Sequence, residues 1–164
     1  DERGRIRTET EYIGAFYRYS EGYETARAAL SHMLVFTGIG WVMFLTSLFP
    51  HSTASVVMYV MLPYLFTALP LGLLTAALLS LGSSGERLDH RRADLTNERM
   101  PACCLWMMLL PGISVIGETL ALTVGHGSFY PGDATFLIGA ACAGVCGWLC
   151  RGRVNALRTI PLES

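Results

Sequence analysis

AALSHMLVFTGIGWVMFLTSLFPHSTASVVMYVMLPYLFTALPLGLLTAALLSLGSSG, residues 28–85, contains no Asp, Glu, Lys or Arg. An uncharged run this long cannot sit in water without exposing a large apolar surface to it. At ~1.5 Å per helical residue it is long enough to cross about 30 Å of hydrocarbon twice. Pro50-His51-Ser52 divides it as a tight turn, leaving spans Ala29–Phe49 and Thr53–Leu81. The second is long for one crossing, and Pro63 and Pro70 predict a kink or tilt within it.

Working outward, residues 100–150 carry only two charges, Glu118 and Asp133. Two further spans fit there, Pro101–Val124 and Ala134–Cys150, with Phe129 and Tyr130 extending the fourth to the interface. Between them the Pro131-Gly132 turn signal precedes Asp133, which reads as a helix N-cap. Over the whole chain of 164 residues, 52% are hydrophobic and 15% charged, and the mean hydropathy is +0.41. The fold class expected is an all-α integral membrane domain, a four-transmembrane-helix bundle. The first apolar run starts near Ala28 and is longer than a secretory signal core, so no cleavable signal is read. The absence of Met at position 1 suggests a processed or trimmed start.

The basic residues give the orientation. All twelve are Arg, and each lies in residues 1–27, in the loop 82–100 or in the tail 151–164. Neither of the other two connections carries one. In a four-span topology those three segments share one side, and the positive-inside rule makes it the cytoplasm. The chain is therefore expected in the cell membrane, multi-pass, with both termini cytoplasmic. The net charge of −1 gives no indication of a nucleic-acid partner.

Those polar segments carry structure of their own. Arg5, Arg7, Glu9 and Glu11 alternate with Ile6, Thr8, Thr10 and Tyr12, a strand period. Gly14 provides a turn, and Phe16–Tyr19 can pair back. Val154–Leu162 also reads as extended, with Pro161 suited to an edge or end. A small cytoplasmic β-hairpin or β-element uniting both termini is expected. Ser20 reads as an N-cap, starting the first helix near Glu21. In the middle loop, Gly82-Ser83-Ser84-Gly85 is flexible in composition. Glu86–Arg99 mixes both charge signs with Leu88 and Leu95, as a helical extension lying in solvent or headgroups would.

Glu118 is the most informative single residue. It lies roughly 10 Å from the outer end of the third span. An ionisable group at that depth costs about 2.5–3.5 kcal/mol on insertion scales and faces the bundle interior. Ser114 and Pro111 share its face, while Tyr59 and Thr46 fall at similar depth and are expected to hydrogen-bond it. Two readings stand: a proton- or cation-coupled site, or a protonated carboxyl clamping helices together. Gly139, Ala143 and Gly147 recur at four-residue spacing, which lets helix backbones approach closely. The fourth helix is accordingly expected at the centre of the bundle, with a dimer seam as the alternative.

Other patterns have ordinary readings beside the chemical ones. Cys142, Cys146 and Cys150 form one helix face and end at the depth of Cys103 and Cys104. Their spacing is not that of a zinc motif, so small packing residues in a reducing compartment are the favoured account. His32, His51, His90 and His126 are scattered and offer no matched pair for haem. Tyr12, Phe16, Tyr17, Tyr19 and Tyr23 cluster before the first span as a hairpin core, an interfacial belt or a ligand surface. No catalytic constellation, metal site or cofactor is read.

The string Tyr59-Val60-Met61-Leu62-Pro63-Tyr64-Leu65-Phe66, followed by Leu69-Pro70, resembles a feature of small four-span bacterial membrane proteins of unknown function. Tyr12, Gly14, Phe16 and Tyr17 after the Arg-rich start, and Gly117-Glu118 in the third span, are similar to features of that group. The resemblance implies the same topology and a bacterial origin, and implies no chemistry. Small multidrug transporters carry their membrane Glu in the first helix, quinone-linked thiol oxidases need outer Cys-x-x-Cys pairs, and tetraspanin-like proteins need a large outer loop; none of these fits. The expected function is non-enzymatic: scaffolding or regulating a partner at the cytoplasmic face, beside the bilayer itself, with a homodimer or a membrane-protein partner as the kind of association. A small proton- or cation-coupled transporter working through Glu118 is the alternative.

Overall fold

In the computed structural model, which describes residues 16–49, 51–86, 88–124 and 129–162, four helices are long and apolar enough to cross a membrane. The elements in order are β1 (Tyr17–Tyr19), α1 (Tyr23–Thr46), α2 (Met58–Phe66), α3 (Ala68–Gly82), α4 (His90–Asp94), α5 (Met100–Val124), α6 (Pro131–Val154) and β2 (Thr159–Pro161). A π-helical turn, Leu95–Arg99, joins α4 to α5, so the third span runs unbroken from His90 to Val124.

The second span is divided in two. α2 and α3 meet at the fully buried Thr67, whose hydroxyl donates to the Pro63 carbonyl at 3.4 Å. Pro70 has no N–H to offer the carbonyl four residues earlier, so the ladder is interrupted where α3 begins. The segment 53–57 is not part of α2; Thr53–Ser55 is a short 3₁₀ turn.

α6 is the central helix, lying against both α1 and α5. Its small residues make this possible. A Cβ at Gly139 would overlap Ser47 Oγ of the α1 connection, and one at Gly147 would lie 2.9 Å from Met107 Cβ on α5. Ala143, between them, is buried. Around this axis Phe44, Tyr64 and Phe136 pack in tilted and edge-on contacts with ring centroids 5.1 and 4.8 Å apart, drawing α1, α2 and α6 together.

The termini are united by a two-stranded antiparallel sheet. Tyr17, Arg18 and Tyr19 of β1 face Pro161, Ile160 and Thr159 of β2. The extended character read for Val154–Leu162 holds only from Thr159; Val154 ends α6 and Asn155–Leu157 is a 3₁₀ turn. Pro161 stands at the end of its strand, where a missing N–H is harmless. The strand expected over Arg5–Tyr12, with its turn at Gly14, lies outside the described residues. Ser20 is not the N-cap of α1. Its N–H donates to Arg158 O at 2.9 Å, prolonging the sheet, and Gly22 caps the helix with φ +89°, a conformation only glycine takes readily. Asp133 is likewise the third residue of its helix rather than the cap, because Pro131 occupies the first position and Tyr130 the cap.

Candidate functional site

The arginine-free end of the bundle is organised by Asp133. From the first turn of α6 its carboxylate accepts the Tyr130 N–H at 2.8 Å and, across the bundle, the Thr53 N–H at 2.5 Å and the Thr53 hydroxyl at 3.4 Å. The α6 N-terminus supplies partial positive charge to the same spot. Glu118, from α5, completes the group through a side-chain hydrogen bond to Asp133. Both residues are fully buried.

Two carboxylates cannot hydrogen-bond each other unless one carries a proton. Asp133 already accepts from two N–H groups and a hydroxyl, which leaves Glu118 to donate within the pair. In chemical terms the pair is an acid–carboxylate clamp tying α5, α6 and the connection at Thr53 together.

The other residues expected around Glu118 fall unequally. Ser114 is buried on the same face of α5, but its hydroxyl donates back to Leu110 O at 3.1 Å. Thr46 does not reach the site: it is exposed, and its hydroxyl donates to Val42 O and Met43 O of its own helix. Tyr59 is 61% exposed, its ring edge lying against Gly117 on α5, one residue from Glu118. Gly117 rather than Tyr59 shapes this neighbourhood, since a Cβ there would lie 3.2 Å from Val60 Cγ2. Asp133, read only as a cap, is the partner that sequence reasoning missed. Its signal was present in being the only other charge between residues 100 and 150.

The arginine-bearing end carries a second construction. Asn97, in the π turn, holds β2 by its backbone: Oδ1 accepts the Thr159 N–H at 3.1 Å, while Nδ2 donates to Thr159 O at 3.3 Å and to its hydroxyl oxygen at 3.1 Å. Leu88 of the middle loop exchanges backbone hydrogen bonds of 3.0 Å with Tyr17, and Leu162 N–H reaches Phe16 O at 2.9 Å. Beneath the sheet Tyr19, Leu88, Thr96 and Leu157 are buried. Burial pushes the Tyr19 phenol above its ordinary value, with Tyr23 adding to the rise and Arg92 opposing it. N-terminal segment, middle loop and C-terminal tail thus form one folded cap. Its outward face presents Phe16, Arg18, Ile160 and Leu162.

The five cysteines are free, with Cys104 and Cys150 buried and Cys150 Sγ 3.9 Å from Thr37 Oγ1. His90 lies beside Tyr17, with Nδ1 3.1 Å from the phenol oxygen; His32 and His51 are exposed, and His126 lies outside the described residues. Among the described residues no group of three or more His, Cys, Asp or Glu is placed to hold a metal. No protein-family model matches the chain, and no curated protein or solved structure is significantly similar to it.

Proposed function

We propose that this chain is a non-enzymatic polytopic membrane protein that scaffolds or regulates a partner through its arginine-bearing cap, on the cytoplasmic side. One observation carries the reading. Three segments far apart in sequence are joined into an ordered sheet-and-loop surface, and that surface exposes Phe16, Ile160 and Leu162 around Arg18. Exposed apolar side chains grouped about a guanidinium are the composition of an interaction surface. A merely solvated loop needs no such assembly, since ordering each residue costs roughly 1–2 kcal/mol of backbone entropy.

The test is photo-crosslinking in living cells with a photoreactive residue at Ile160, compared with one at Phe129 beside the opposite end. A discrete protein adduct at Ile160 that Arg18→Glu removes is the expected result. Adducts of equal yield at both positions, or none at Ile160, would remove the proposal. A second reading, a small proton- or cation-coupled transporter, draws on the buried Glu118–Asp133 pair, two carboxyls hydrogen-bonded to each other. It requires a proton or cation flux in proteoliposomes that Glu118→Gln abolishes.

A further inference from the structure

A groove of about 940 Å³ runs along the outside of the bundle between α3 and the third span. Its depth and its chemistry change together. One wall is Leu69, Leu73, Ala76 and Ser80 of α3. The other is a continuous helical face, Arg92, Leu95, Arg99, Cys103, Trp106 and Leu110, repeating every three or four residues. From Met100 to Leu110 that wall is apolar over about 15 Å, at ~1.5 Å per residue. This equals one leaflet of a hydrocarbon core about 30 Å thick. Just above Met100 the lining turns basic, with Arg91, Arg92 and Arg99 against a single Asp89.

We propose that this groove is a binding site for an anionic phospholipid of the leaflet on the arginine-bearing side. An acyl chain lies between α3 and α5, and the headgroup phosphate is held by Arg91, Arg92 and Arg99. The occupant follows from two matches that a protein partner would not require of the same surface. The apolar part ends one leaflet deep, and the charge begins at headgroup level. The groove walls are exposed to hydrocarbon, Leu69 at 60%, Leu73 at 63% and Trp106 at 51%, so a chain enters sideways from the bilayer. Arg99 is held near the mouth by an ion pair with Asp94, Nε to Oδ2 3.3 Å, in which the Arg99 side chain remains 70% exposed, leaving guanidinium N–H groups to donate to a phosphate oxygen as well. The π turn Leu95–Arg99 sets the register between the two halves of this face, a common location for such turns. Basic pockets of this kind between membrane helices suit acidic headgroups, each Arg near the surface contributing about 1 kcal/mol, or about fivefold in affinity.

Trp106 reports occupancy directly. The full chain carrying Trp41→Phe and Trp148→Phe is reconstituted in phosphatidylcholine vesicles, and a fixed fraction of lipid is replaced by brominated phosphatidylglycerol or brominated phosphatidylcholine. The expected result is several-fold stronger quenching by the anionic lipid. That preference falls toward equality for each of Arg92→Gln and Arg99→Gln, a loss of up to about fivefold per arginine, and quenching by either lipid falls when Ala76→Phe fills the groove. Ala76→Phe leaves the arginines in place, so it decides the matter even if an arginine variant fails to fold. Equal quenching by the two lipids would overturn the charge selectivity. Absence of quenching by both would mean that a second copy or another protein covers the groove, and would overturn the proposal altogether.

Discussion

Asp133 and Glu118 tie α5, α6 and the Thr53 turn together at the arginine-free end of the bundle. Asp133→Ala would orphan the Thr53 and Tyr130 N–H groups, each costing about 1–3 kcal/mol when buried. In detergent this lowers the apparent melting temperature by roughly 2–4 °C per kcal/mol. Glu118→Gln keeps a donor toward Asp133 and is expected to change stability by less than ~1 kcal/mol. A larger loss for Glu118→Gln than for Asp133→Ala, measured by thermal unfolding of the purified protein, would reverse the roles assigned to the pair. At this scale the sequence was legible in part. The depth of Glu118 and its inward orientation follow from the cost of a carboxyl in hydrocarbon. Its partner does not, because the direction a side chain takes depends on the rotation of each helix about its axis. In a membrane span both the lipid-facing and the inward side are apolar, so the 3.6-residue pattern that would reveal this rotation is weak. Thr46 and Tyr59 were expected to reach Glu118 for their depth alone; Thr46 donates to its own helix instead, and Tyr59 is largely exposed with its ring edge against Gly117.

At the scale of elements, the clamp between Asn97 and Thr159 decides whether the cap is a unit. Asn97→Ala removes three hydrogen bonds to one residue of β2. Hydrogen exchange should then accelerate at Thr159 and at the paired Tyr17–Leu88 amides, while the amides of α5 and α6 stay protected. Unchanged exchange at Thr159 would mean that the sheet stands by its own pairing. The spans themselves were readable because charge-free length is a strong constraint in lipid. The break at Thr67 was anticipated only as a kink from Pro63 and Pro70. The start of α1 moved from Glu21 to Tyr23 because Ser20 is committed to the sheet, a tertiary pairing invisible to local capping rules. Of the helical extension expected over Glu86–Arg99, the helix runs from His90, and Leu88 lies outside it, buried as the bridge to Tyr17.

At the scale of the molecule, side-chain clamps close both ends of one four-helix bundle, Asp133 at the arginine-free end and Asn97 at the other. α6 runs between them, with Gly139 and Gly147 bringing α1 and α5 close. The twelve-to-none distribution of Arg among the connections foretold that three polar segments would share one end. That the two termini would pair was legible in the extended character of Phe16–Tyr19 and Val154–Leu162; that the middle loop would join them through Leu88 was not. The central claim is that the arginine-bearing cap and the Asp133 end lie on opposite sides of a membrane, the cap inside. In a cysteine-free background, His51→Cys and Arg91→Cys are each labelled in intact cells with a membrane-impermeant maleimide. The account predicts labelling of His51→Cys from outside and of Arg91→Cys only after the membrane is opened. Labelling of Arg91→Cys in intact cells would contradict it.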